Sequence, residues 1–404
     1  MQVASLEFLL LLMALSAALC VLPGRAARQG LFALVGAGVL ALLIADLLTL
    51  AVLAAFLLSG HACGLLLRKR PNSWVLGVYL ALLLAAFVYL KKYDFLRLLI
   101  GDDLLRHGVQ IVGLSYMLFR QIHFLVDVRQ GQIRRWTLWS YLNYQLNFLG
   151  LLAGPIQRYP EFQEFWDDPQ PRLADRHELL RTYLRIFVGV IKISFIGALF
   201  LAKYDDLVLK FDAGGGSWSR AVRILYFYPA YIYFNFSGYC DIVIGGAALL
   251  GLKMPENFDH PYLSRNIIDF WTRWHRSLGF WIRDYIFTPL YKSIAQRSPS
   301  AAPSLAFVCY FVALFLAGMW HGSTWNFTVF ALVHGTAVSA NKLWEMAIVH
   351  RRGRPGYRQY MASRPVRIAA SVVTFHFLCA SFLFVPTDLG RTMRILGTLV
   401  GVAT

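Results

Sequence analysis

Of the ten histidines in this 404-residue chain, His321 is the one best placed to do chemistry. It lies in Ala317-Gly318-Met319-Trp320-His321-Gly322-Ser323-Thr324-Trp325-Asn326, where an apolar run meets a tight turn. An ionisable side chain at membrane depth is costly, so its default reading there is functional. Gly318 and Gly322 permit close approach of a ligand or a second helix. A neutral imidazole can take up a proton near pH 7. On these local features alone, catalysis and a satisfied buried histidine stand level.

His275, in Phe270-Trp271-Thr272-Arg273-Trp274-His275, is a second polar group among aromatics. His177 and His350 neighbour charged loops, and His61, His107, His123 and His376 read as packing or loop residues. His321 and His334 lack the H-x-x-x-H spacing of a zinc pair, and the five cysteines stand singly, so no metal site is expected. Serine-hydrolase and P-loop chemistry find no G-x-S-x-G or G-x-x-x-x-G-K-[ST] motif.

The elements that must position these residues are helices in lipid. The chain is 58% hydrophobic and only 15% charged, whereas soluble proteins carry about a quarter charged residues. Apolar stretches too long for strands recur throughout, which predicts one all-α integral membrane domain over 1–404, a polytopic bundle of about 10–12 spanning or buried helices plus interfacial amphipathic helices. Leu6 to Leu22 reads as a retained first span with its N-terminus outside, because the nearest basic residues, Arg25 and Arg28, follow it. Residues 30–67 are too long for one crossing and must fold back near Ala45-Asp46. Further spans or buried helices are predicted at about 74–90, 108–127, 138–153, 182–202, 221–236, 238–252, 303–319, 323–346 and 366–385.

The net charge of +17 is carried by short basic loops such as Arg68-Lys69-Arg70, Arg134-Arg135 and Arg351-Arg352-Gly353-Arg354. That is the positive-inside pattern, with anionic lipid headgroups as a second partner; no basic folded module suggests nucleic acid. The stretch Arg265 to Arg283 is predicted as one amphipathic helix, with Arg265, Arg276 and Arg283 within about 20° of one another and Phe270, Trp271, Trp274, Leu278 and Trp281 opposite.

Phe236-Ser237-Gly238-Tyr239-Cys240-Asp241, Pro255-Glu256-Asn257-Phe258, Pro261-Tyr262-Leu263-Ser264-Arg265, Phe270 to His275 and Trp281-Ile282-Arg283-Asp284-Tyr285 resemble, in order and spacing, the membrane-bound O-acyltransferase superfamily. The resemblance is nearest to its bacterial branch of alginate O-acetylation and teichoic-acid D-alanyl transfer proteins. Ala153-Gly154-Pro155-Ile156-Gln157-Arg158-Tyr159 and Met319-Trp320-His321-Gly322 extend it over about 110–385.

The resemblance implies a bundle with a cytoplasmic and an outer funnel meeting at a thin partition, in a bacterial cytoplasmic membrane. It implies His321 as the near-invariant catalytic histidine and His275 as the second polar active-site position. Arg273, Trp274, Trp320, Trp325 and Asn326 would line the passage, although each tryptophan is equally readable as packing. The reaction implied is transfer of an acyl group from a cytoplasmic thioester, acetyl-CoA or an acyl carrier protein, to a hydroxyl of an envelope polysaccharide or an extracytoplasmic relay protein, with no tightly bound cofactor. Leu-Ala-Gly-Pro-Ile-Gln-Arg-Tyr and Pro-Glu-Asn-Phe read more like the O-acetylating branch; the short C-terminus resembles the D-alanyl branch. A transporter or a scaffold for a polysaccharide synthase are the non-enzymatic readings. The first would bring inverted repeats that the sequence lacks, and the second does not need the two histidine motifs.

Overall fold

The computed structural model describes residues 4–402 apart from 23, 43, 45, 101–112 and 168–174. The described residues are predominantly helical, and six of their helices are long and apolar enough to cross a membrane: Leu47–Lys69, Ser73–Lys91, Arg176–Asp212, Trp218–Leu249, Ala302–His321 and Arg364–Phe382. Leu6–Val21 is a shorter apolar helix. The chain forms two compact units, one of residues 1–193 with 238–256, the other of 194–237 with 257–404.

In the first unit, the stretch 30–67 is broken where expected, into Arg25–Ala41 and Leu47–Lys69. The second of these starts where Asp46, in extended backbone, accepts the Thr49 amide at 2.7 Å. This caps an otherwise unsatisfied donor of the first turn. Ala45, the other residue of the expected break, lies outside the described residues, as does the start of the 108–127 segment, whose remainder is the helix Leu114–Arg129.

The segment expected at 138–153 as a span or a buried helix is a short, largely buried helix, Leu138–Gln145, followed by a 3₁₀ turn, Phe148–Gly150. A buried cation ends it. Arg120 donates Nη1 to the carbonyls of Tyr144, Gln145 and Asn147 at 3.2, 2.9 and 3.2 Å. Tyr144 and Gln145 close the helix, where carbonyls lack an i+4 amide within it and positive charge is favoured, and Asn147 lies just beyond its end. Asn147 then accepts the Leu149 amide at 3.2 Å and turns the chain.

The two segments expected at 221–236 and 238–252 are one helix, Trp218–Leu249. Gly238 marks a close helix contact instead of a turn, since a Cβ built on it would stand 2.8 Å from the Gly189 carbonyl oxygen. Small residues let spanning helices approach in this way. The same contact brings Asp241 between two cations, Arg185 at 3.1 Å and Lys192 at 2.6 Å, and Arg185 also pairs with Glu256 at 2.6 Å.

The second unit packs around Phe270, Trp274, Phe330, Leu378 and Phe382. The helix Ala302–His321 ends on His321, and Trp325–Ala362 follows after a short turn, kinked at Gly353. The two helices pack closely through a glycine: a Cβ on Gly318 would stand 2.6 Å from Ala331 Cα, a backbone atom that cannot step aside. Gly318→Leu is therefore expected to destabilise this unit by at least the roughly 1–3 kcal/mol typical of overpacking, read as a lower melting temperature of the purified protein in detergent. An unchanged melting temperature would mean that the helix pair is more loosely packed than the structure has it.

Candidate active site

The single amphipathic helix expected from Arg265 to Arg283 is broken. Its parts are Ile267–Arg273 and Arg276–Ile282, joined through Trp274 and His275. His275 has φ 49° and ψ 50°, in the left-handed region. A non-glycine residue there costs on the order of 1–2 kcal/mol, and such outliers persist where surrounding structure over-determines them, often at functional sites. The arginine stripe is accordingly split. Arg276 and Arg283 lie over the Phe280 ring at 5.7 and 5.0 Å, whereas Arg265 lines a cleft with Asp269 and Arg273.

The left-handed turn is held by the polar loop that precedes it in sequence. Phe258 pairs antiparallel with Trp274, flanked by hydrogen bonds from the Asp259 amide to the Arg273 carbonyl and from the Arg276 amide to the Asn257 carbonyl, each 3.0 Å. The Asn257 side chain completes the clamp. Its Oδ1 accepts the Ser277 amide at 3.1 Å and the Ser277 hydroxyl at 2.8 Å, and stands 3.3 Å from His275 Nδ1. A backbone amide can only donate, so the asymmetric end facing Ser277 and His275 is the carbonyl oxygen. His275 Nδ1 therefore carries the proton toward Asn257, which leaves Nε2 of the neutral ring as an acceptor. Burial, and secondarily the neighbouring His321, holds the His275 pKa well below its ordinary value, so the ring is neutral at physiological pH.

His321 meets this group from the end of its own helix. The His275 and His321 ring centroids are 6.3 Å apart. Trp320 stacks edge-on to both, at 6.3 Å from His275 and 4.9 Å from His321, and Phe236 closes on His275 at 4.9 Å. His275 is buried, at 1% exposure, while His321 is half-buried and reachable. Two imidazoles, one pinned and one accessible, in a wall of aromatics are suited to moving a proton in a site of low polarity.

The other residues expected to line a passage divide. Trp320 joins the histidine pair. Trp274 lies in the aromatic core instead, stacked on Phe270 at 5.6 Å and edge-on to Phe258 at 5.0 Å. Arg273 is engaged by Asp269 at 2.7 Å and Asp259 at 3.8 Å. Asn326 is buried and donates to the Thr387 carbonyl, and Trp325 begins its helix 45% exposed.

Sequence reasoning gave Asn257 no role, although it quoted the motif that contains it; the cue was a polar residue in a two-proline loop, with nothing in the 18-residue separation to pair it with His275. It also passed over His334 except as a metal ligand. His334 is fully buried, donates Nε2 to the Ser381 hydroxyl at 3.0 Å and packs on Phe330 at 4.3 Å. Phe330 in turn lies edge-on to His321 at 6.4 Å.

The profile of the membrane-bound O-acyltransferase family matches residues 6–383. A teichoic acid D-alanyltransferase of Streptococcus thermophilus is 27% identical over 78% of this chain and 76% of its own length. A probable alginate O-acetylase of Azotobacter vinelandii is 30% identical over 62% of this chain and 48% of its own. A peptidoglycan O-acetyltransferase of Helicobacter pylori is 28% identical over 73% and 58%.

Proposed function

The chain belongs to the membrane-bound O-acyltransferase family and is a multi-pass membrane acyltransferase, and from that premise we propose that His321 is the general base in the transfer of an acyl group, acetyl in the first instance, from a thioester to a hydroxyl of a cell-envelope polymer. The observation that carries the reading is the pairing of an accessible His321 with a buried His275 whose ring is fixed by Asn257.

The acceptor hydroxyl attacks the thioester carbonyl as His321 takes its proton. Collapse of the tetrahedral intermediate breaks the carbon–sulfur bond, and the imidazolium returns the proton to the departing thiolate. A positioned base contributes roughly 10²–10⁴-fold to such a step. The resemblance left two roles for His275, orienting the acceptor or donating to the oxyanion. Donation needs a proton on Nε2, but the Asn257 contact favours Nδ1–H. Orienting the acceptor by accepting its hydrogen bond at Nε2 is the role the geometry supports.

The donor is coenzyme A-linked or carrier-linked, and the polymer is of the kind that relatives' names specify: teichoic acid, alginate or peptidoglycan. A specific observation keeps D-alanyl transfer as the second reading, because the D-alanyltransferase aligns over three quarters of both chains whereas the alginate protein aligns over under half of its own. Mass spectrometry of the envelope polymer from a deletion strain separates them. Loss of acetyl esters supports the first reading, loss of alanyl esters the second, and an unchanged polymer contradicts both.

A further inference from the structure

In the second unit, Arg265 and Arg358 line one cleft of about 410 Å³ together with Asn266, Asp269 and Arg273. Asp269 is already engaged: it accepts from Arg273 Nε at 2.7 Å and from the Arg265 amide at 3.1 Å. Among the described residues the Arg265 and Arg358 guanidinium groups have no such partner, and both residues are exposed, so the described part of the cleft holds two uncompensated positive charges. It does not end there. Arg265, Asn266 and Met361 also line a neighbouring cleft of about 450 Å³, whose other walls include Ala337, Val366, Ala369, Val373 and Phe377.

Of these walls, Val366, Ala369, Val373 and Phe377 belong to Arg364–Phe382, a helix long and apolar enough to span. Its Ile368, Val372 and Val373 are 56%, 51% and 69% exposed, as side chains that meet hydrocarbon are. A cationic pocket thus opens into an apolar groove at the membrane surface. A free phosphate or a coenzyme would fill the first and leave the second in contact with nothing that matches it. A ligand with an anionic head and an aliphatic tail fits both.

We propose that these joined clefts are a binding site for an anionic glycerophospholipid, its headgroup phosphate between Arg265 and Arg358 and one acyl chain along Ala369, Val373 and Phe377. The site is separate from the histidine pair and does not depend on the proposed chemistry there. It assigns Arg265 to the lipid, apart from Arg276 and Arg283 on the other part of the broken helix.

The test uses the full chain, purified in mild detergent and titrated with phosphatidylglycerol or with phosphatidylcholine of the same chain length, with bound lipid read by native mass spectrometry. Wild-type protein should retain phosphatidylglycerol preferentially. Each basic residue near a membrane surface is worth roughly five-fold in association, so R265Q/R358Q should bind phosphatidylglycerol about 30-fold more weakly, while R297Q, outside the cleft, should not change it. A369W, at an exposed position in the apolar groove, should weaken phosphatidylglycerol binding but leave any binding of coenzyme A or inorganic diphosphate as in the wild type. Melting temperatures of all variants establish that they are folded. Equal retention of the two lipids, or wild-type retention by the double arginine variant, would overturn the proposal. So would loss of coenzyme A and phosphatidylglycerol alike in R265Q/R358Q with no effect of A369W, which would mark a soluble phosphate site.

Discussion

His321→Ala should reduce acyl transfer to background in cells while leaving the protein at wild-type levels in the membrane. The side chain is half-buried at the last turn of Ala302–His321 and the next residue, Gly322, has extended backbone, so alanine ends the helix without disturbing its core contacts. What is lost is the only imidazole of the pair that is reachable. A sugar hydroxyl is a weak nucleophile at neutral pH, and without a base its attack slows by roughly 10²–10⁴-fold. The measurement is the acyl content of the envelope polymer from cells expressing each protein at matched levels. Near-normal acylation would remove the base role and favour a scaffold.

The second large effect is expected at the clamp on His275. His275→Ala removes an orienting group and should leave measurable activity, since misplacing a reacting group by about an ångström costs on the order of 10²-fold. Asn257→Leu should cost a sizeable part of that without touching the imidazole itself, because Nδ1 loses its acceptor and the ring is freed to hold its proton on Nε2. Asn257→Asp separates this from mere damage to the loop. A carboxylate still accepts from Ser277 and from Nδ1–H, so activity at neutral to mildly alkaline pH should return toward wild type. The sign of its pH effect is fixed. Burial holds the His275 pKa low, and an adjacent negative charge favours the imidazolium and raises that pKa. More of the ring is then protonated at any given pH, Nε2 stops accepting, and the acid limb of the activity profile moves to higher pH. An unmoved acid limb together with no recovery would reduce Asn257 to a loop-packing residue.

The helix that ends on His321 was legible because apolar runs of crossing length have few alternative explanations: Ala302–His321, like Ser73–Lys91 in the first unit, falls close to its expected bounds. The break before Leu47 was legible from length and from Asp46. What was not legible depends on long-range partners. Nothing local in 138–153 announces that Arg120, some 25 residues earlier, takes the helix's last carbonyls and stops it. Gly238 reads as a break until Gly189 is seen against it. In the same way periodicity runs smoothly through His275, and only the pairing of Phe258 with Trp274 turns the backbone there. His321 and His275 were both found from residue type and motif, their proximity only from the structure. Trp274 has the composition of a passage wall and the surroundings of a core residue.

His321→Gln in isolated membranes, supplied with a labelled acyl thioester and the envelope polymer, asks the central question with the least ambiguity. Glutamine keeps a hydrogen-bonding group of similar reach at the end of the helix but cannot take up a proton. If His321 is the base, transfer of label to the polymer falls by at least about 10²-fold at unchanged membrane content. A rate within a few-fold of wild type would show that proton acceptance at this position is not part of the reaction, and the account of the site would fail.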